Sequence, residues 1–101
     1  MLKKISFNLR GKRINIIAKE CSGLNRFLGL MFKDRDDANP LLFEFKKPVS
    51  FRIHSLFVFF PFIAVWMDGE DNVVEFKIVE PFTPSVKAKR RYKKLLEIPM
   101  N

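Results

Sequence analysis

The sequence predicts an all-β fold, a single-domain β-sandwich or jelly-roll-like barrel with one short helix after its first hairpin. Three observations carry that expectation. Apolar and polar residues alternate in several short segments, as half-buried strands require. Turn signals recur between those segments, at Gly11, at Pro40, at Pro48 and through Asp68-Gly69-Glu70-Asp71-Asn72. Finally, Leu56 to Met67 reads LFVFFPFIAVWM without one charge, which belongs in a buried layer.

Each element follows from its residues. Ile5 and Phe7 alternate with Lys4 and Ser6, and Ile14, Ile16 and Ala18 alternate with Arg13, Asn15 and Ile17, giving two strands joined by a turn over Asn8 to Lys12. Ser22 is placed to cap a short helix through Leu28, with Leu24, Phe27 and Leu28 as its apolar stripe and Gly29 as its end. Lys33 to Pro40 is polar and reads as a loop. Leu41, Phe43 and Phe45 alternate with Glu44 in a further strand, and Lys46-Lys47-Pro48 turns the chain.

Phe51 and Ile53 are then expected inward, with Arg52 and His54 on the opposite face of a strand. That strand is expected to saturate at Leu56 and to bend at Pro61, which cannot donate to a ladder. Its second half, Phe62 to Met67, should pair by hairpin with Val73 to Val79. Pro81 and Pro84 bracket an irregular crossing. Over Val86 to Ile98, helix propensity competes with a strand, and pattern alone does not decide.

Composition bounds the function. A chain of 101 residues is one domain with one core. One cysteine and one histidine exclude an intramolecular disulfide and a zinc site built mainly from His and Cys, so no metal and no cofactor is expected. The lone cysteine fits a reducing, cytoplasmic compartment, and Met1 to Lys4 lead into alternation, not into the apolar stretch of a signal peptide. A membrane span needs roughly 20 apolar residues; the block from Leu56 to Met67 has twelve and contains Pro61, so no membrane partner is expected. Abundant charge at 30%, with glutamine absent, is the composition favoured in thermophiles.

Several motifs occur together in one order: Ser22 with Arg26, Gly29-Leu30-Met31-Phe32, Leu42-Phe43-Glu44-Phe45, Pro61, Asp68-Gly69 with Val73-Val74, Lys87-Ala88-Lys89, and Leu96-Glu97-Ile98-Pro99. In that order and register the chain resembles the domain-of-unknown-function family 192, and Ile53-His54 before the hydrophobic run resembles its archaeal branch. The resemblance implies a mainly β fold, a Gly-Leu-Met turn after a short helix, and a strand as the last segment. It implies no activity, since that family is uncharacterised. Where many members carry Asn-Thr before the proline and an aspartate after it, this chain has Phe57-Val58 and Ile63, so chemistry resting on those polar groups does not carry over.

The candidate sites are few. His54 is the only side chain whose ordinary pKa lies near neutrality, which makes it the candidate acid or base of an enzymatic reading. Cys21 precedes the expected helix start, where a helix dipole lowers a thiol pKa. Arg26, Arg35 and Arg52 are candidates for an anionic ligand, with Glu44 and His54 beside them on the middle strands. The net charge of +8 is concentrated in residues 1–19 and 86–101. If the first and last strands are neighbours, Lys89, Arg90, Arg91, Lys93 and Lys94 form a basic face with Tyr92 as a stacking platform for a nucleic-acid base.

No phosphate loop, nucleophile elbow or metalloprotease motif is present. The leading expectation is therefore a non-enzymatic domain that binds a small ligand or a protein partner. Nucleic-acid binding through the basic ends is the alternative, and a small enzyme using His54 is the third.

Overall fold

The structure, a computed structural model, describes residues 2–21 and 29–100. It contains six strands in one sheet: β1 (Leu2–Leu9), β2 (Lys12–Glu20), β3 (Leu41–Val49), β4 (Phe62–Met67), β5 (Val73–Val79) and β6 (Tyr92–Pro99). Their order across the sheet is β1-β2-β3-β6-β4-β5. All neighbours are antiparallel except β2 and β3, whose short parallel pairing needs the long connection between them. The expected helix from Ser22 to Leu28 lies outside the described residues. Among those described, the only helical element is a single 3-10 turn at Arg35–Asp37.

Local sequence explains both hairpins. Leu9 pairs with Lys12, so the first loop is Arg10-Gly11, with φ of 52° and 78°. Two left-handed residues give a turn whose twist matches that of paired strands, and glycine takes the second position without steric cost. In the second hairpin the Asp68 carboxylate accepts the backbone N–H groups of Glu70 and Asn72, at 2.8 and 3.0 Å. These bonds, that from Asn72 foremost, hold its pKa below the usual value.

The sheet curls until its ends approach, where Asn8 and Asn72 form an isolated bridge. Ile5 and Phe7 of β1, Val65 and Met67 of β4 and Leu96 of β6 then share one buried cluster with Val73 and Phe76 of β5, on the concave side. Alternation sends the next residues to the convex side: Phe43 of β3, Phe62, Ala64 and Trp66 of β4, and Leu95 of β6. That side is covered by the connections rather than by a second sheet. The architecture is thus one curled, half-closed sheet, not two stacked sheets.

Two further expectations are corrected, and one question that pattern left open is answered. Phe51 to Phe60 contains no strand, only the isolated bridge of Ile53 to Val86, and Phe51, Leu56, Phe57 and Phe59 are exposed. Alternating burial there comes from a looped chain lying on the core, and its Val58 N–H bonds back to Ser55 in a turn. Lys46-Lys47-Pro48 does not end β3 but forms an irregularity within it, between the pairs Glu44–Lys94 and Val49–Tyr92. The basic final segment is strand from Tyr92, as the resemblance implied, because it lies between β3 and β4 and both edges are paired.

Ser55, fully buried, ties the covering loops together. Its hydroxyl donates to the Glu80 carbonyl and accepts the Thr83 N–H, while its carbonyl accepts from Val58 and Phe82. Phe32, Phe57 and Phe82 sit at the tips of these loops with φ near +60°, and on the surface Phe57 stacks on Phe32 and meets Phe82 edge to face. Backbone strain at such positions persists only where surrounding bonds hold it. Removing the hydroxyl leaves the Thr83 N–H without its acceptor and takes one of two donors from the Glu80 carbonyl, which keeps Thr83 Oγ1, so Ser55→Ala should lower stability by about 1–3 kcal/mol in urea unfolding. A loss below about 0.5 kcal/mol would show that the loops are held elsewhere.

Candidate functional site

On the convex side, β3, β6 and β4 form the floor of a cavity of about 480 Å³, roofed by residues 29–31 and 51–58. That volume suits a small organic molecule. The position follows from strand periodicity: Phe43 and Phe45 of β3 point to the same side as Leu95 and Glu97 of β6, with Phe62 of β4 alongside. Phe45 meets Phe51 and Tyr92 nearly edge to face, at interplanar angles of 63° and 76°. These rings therefore stand as walls at steep angles to one another. The Tyr92 hydroxyl donates to the Phe51 carbonyl at 2.8 Å, fixing the loop to the floor, and burial pushes its pKa up to about 12.

Glu97 is the acidic group of this lining. It is 6% exposed and lies on the central strand, opposite Leu41 on one side and Ala64 on the other. Among the described residues nothing donates a hydrogen bond to its side chain. Burial without a compensating charge raises its pKa from 4.5 to about 8, so the neutral acid predominates at pH 7. Gly29, at φ +51°, passes close by: a Cβ there would lie 3.5 Å from Glu97 Oε1 and 3.8 Å from Phe43 Cζ.

The sequence-predicted residues divide. Arg52 and His54 do reach the cavity, as exposed groups at its mouth, where Arg52 donates to Ser85 Oγ and His54 Nδ1 accepts the Leu56 N–H. Glu44 projects from the opposite face of β3 and pairs with Lys3 at 2.7 Å. Arg35 is committed to the chain end, donating to the carbonyls of Met100 and Pro99. Arg26 lies outside the described residues. Cys21 is buried, and its thiol pKa is raised first by burial and then by the charge of Glu97, the opposite of what a reactive thiol needs.

The basic end is rearranged as well. Strand β6 is central, with β2 and β3 between it and β1, so the first and last strands are not neighbours. Tyr92 is only 2% exposed and cannot stack on a base. Lys94 pairs with Asp71 at 2.6 Å and Lys93 packs along Gly69, leaving Lys89, Arg90 and Arg91 exposed in the preceding loop. Among the described residues no three His, Cys, Asp or Glu side chains converge as metal ligands would, and no helix is long and apolar enough to cross a membrane.

Glu97 was the residue that sequence reasoning missed. The signal was present: in Leu95-Leu96-Glu97-Ile98 a lone acid interrupts a run apolar on both faces, and such an acid must face inward if that run is a buried strand.

The chain matches no family model and no curated protein. Its fold does match solved structures. A protein of unknown function from Novosphingobium aromaticivorans DSM 12444 superposes with a TM-score of 0.82 at 15% identity, over 97% of this chain and 73% of that one. A candidate transcription regulator from Sinorhizobium meliloti 1021 superposes with a TM-score of 0.79 at 12% identity, over 93% and 76% respectively. At such identities the likeness establishes the all-β fold and nothing about activity.

The raised pKa of Glu97 has a signed consequence. Between about pH 4.5 and 8 the folded chain holds a proton that the unfolded chain releases, so this group makes stability fall as pH rises across that window. The slope should approach, and not exceed, about 1.4 kcal/mol per pH unit. Urea unfolding of Glu97→Gln between pH 5 and 8 should show a flatter profile than the parent chain. Parallel profiles would mean that Glu97 titrates normally.

Proposed function

We propose that this chain is a non-enzymatic binding domain whose cavity holds a small, largely apolar molecule by its polar end. The observation that carries the proposal is Glu97, a carboxyl buried on the central strand in a wall otherwise made of aromatic and aliphatic side chains. Burying such a group costs several kcal/mol unless it is paired, roughly 2–7 for a neutral polar group and more for a charge. A hydrophobic residue would fill the same place in the sheet at no such cost. A bound molecule that hydrogen-bonds to Glu97 and covers the aromatic walls offsets that cost. The chain would on this reading be a divergent member of the uncharacterised family it resembles; the turn at Gly29-Leu30 and the final strand containing Leu96-Glu97-Ile98-Pro99 support that placement.

The proposal is tested by amide NMR titration with a library of small aromatic and aliphatic fragments. Perturbations should converge on Gly29, Leu30, Ile53, His54, Leu95 and Glu97, and Ile53→Trp, which intrudes on the cavity, should weaken the best fragment about tenfold or more. Perturbations scattered over the surface, or unaffected by Ile53→Trp, would contradict it.

A further inference from the structure

The walls of the cavity specify more than a generic apolar ligand. Phe43, Phe45, Phe51, Phe62 and Tyr92 all border it, and Phe45 meets two of the others at steep angles, which makes a box rather than a slot. The face of an aromatic ring carries negative potential and attracts a cation within about 6 Å of its centroid. One carboxyl, Glu97, stands on the floor of the same box. A bound cation favours release of the Glu97 proton and so gains a carboxylate beside the ring faces, whereas an anion would be repelled by those faces and would oppose that release. A purely apolar molecule would leave Glu97 without a partner.

We propose that the cavity is selective for organic cations, taking an alkylated ammonium head against the accessible rings of Phe45 and Phe51 with Glu97 as its counter-ion. This rests on the cavity being a ligand site, and it names the class of ligand. The mouth adds a second requirement. Arg52 and His54 stand there, exposed to solvent, so the part of the molecule that projects outward is neutral or anionic, as in an amino alcohol or a zwitterion, and not a second cation. A compact, weakly hydrated ammonium suits such a box better than a strongly hydrated inorganic cation, because less hydration is lost on entry.

Calorimetry on the intact chain with choline and with its uncharged tert-butyl analogue, equal in shape, isolates the charge. Choline should bind about tenfold or more tightly than the analogue, the scale of a desolvated cation–π contact with a counter-ion. Glu97→Gln and Phe45→Leu should each cut the ratio of choline affinity to analogue affinity to about threefold or less, the ratio being read within each variant; two variants guard against one of them failing to fold. Equal affinities for the two probes would overturn the cation assignment and leave the cavity as a ligand site. The same holds if neither probe binds while a neutral fragment perturbs the cavity amides. If no probe or fragment of any charge reaches those amides, both readings fall together.

Discussion

Strand β6 is hydrogen-bonded along both edges, to β3 and to β4, and the rest of the molecule is arranged by that fact. A strand paired on both sides cannot slip by one residue without moving every side chain to the opposite face. The register therefore holds Leu96 in the concave cluster and Leu95 in the convex one, and it obliges Glu97 to share the convex side with Leu95. Relief by moving the carboxyl to solvent is unavailable without breaking two ladders. The buried acid is thus a consequence of the sheet's topology, and the cavity around it follows from what covers that side.

What covers it is chain without regular structure. The segments 50–61 and 80–91 are tied by Ser55 and by the pair of backbone bonds between Ile53 and Val86, segment 29–40 is tied to them by the Phe32 N–H on the Phe57 carbonyl, and the Tyr92 hydroxyl on Phe51 fixes them to the sheet. Loops pack less uniformly than a second sheet would, and they leave the space that a sheet-on-sheet interface would fill with interdigitating side chains. The same loops bring Arg52 and His54 to the mouth. The acid beneath, the rings around it and the polar groups above come from separate parts of the sequence.

That separation decides what could be read in advance. The hairpins β1–β2 and β4–β5 are legible because their signals are local: alternation on both sides of Arg10-Gly11, and two apolar runs about an Asx-type turn at Asp68. Strand β6 was obscured by Lys89-Arg90-Arg91-Tyr92-Lys93-Lys94, whose helix propensity yields to pairing on both edges. Leu56 to Phe60 misled in the other direction, since five apolar residues in a row resemble a buried strand although Phe57 and Phe59 face solvent. Of the site, Arg52 and His54 were legible as polar groups beside an apolar run. Glu97 was not, because its importance depends on β6 being central, a non-local fact.

The reading stands or falls on the ionisation of one side chain. Following the carboxyl carbon of Glu97 by NMR through a pH titration of the folded chain measures it without mutation. A midpoint near 8 is expected from its desolvation on the central strand. A midpoint near 4.5, the ordinary value, would show the carboxyl to be solvated or paired, and would remove the physical reason for assigning this cavity a ligand.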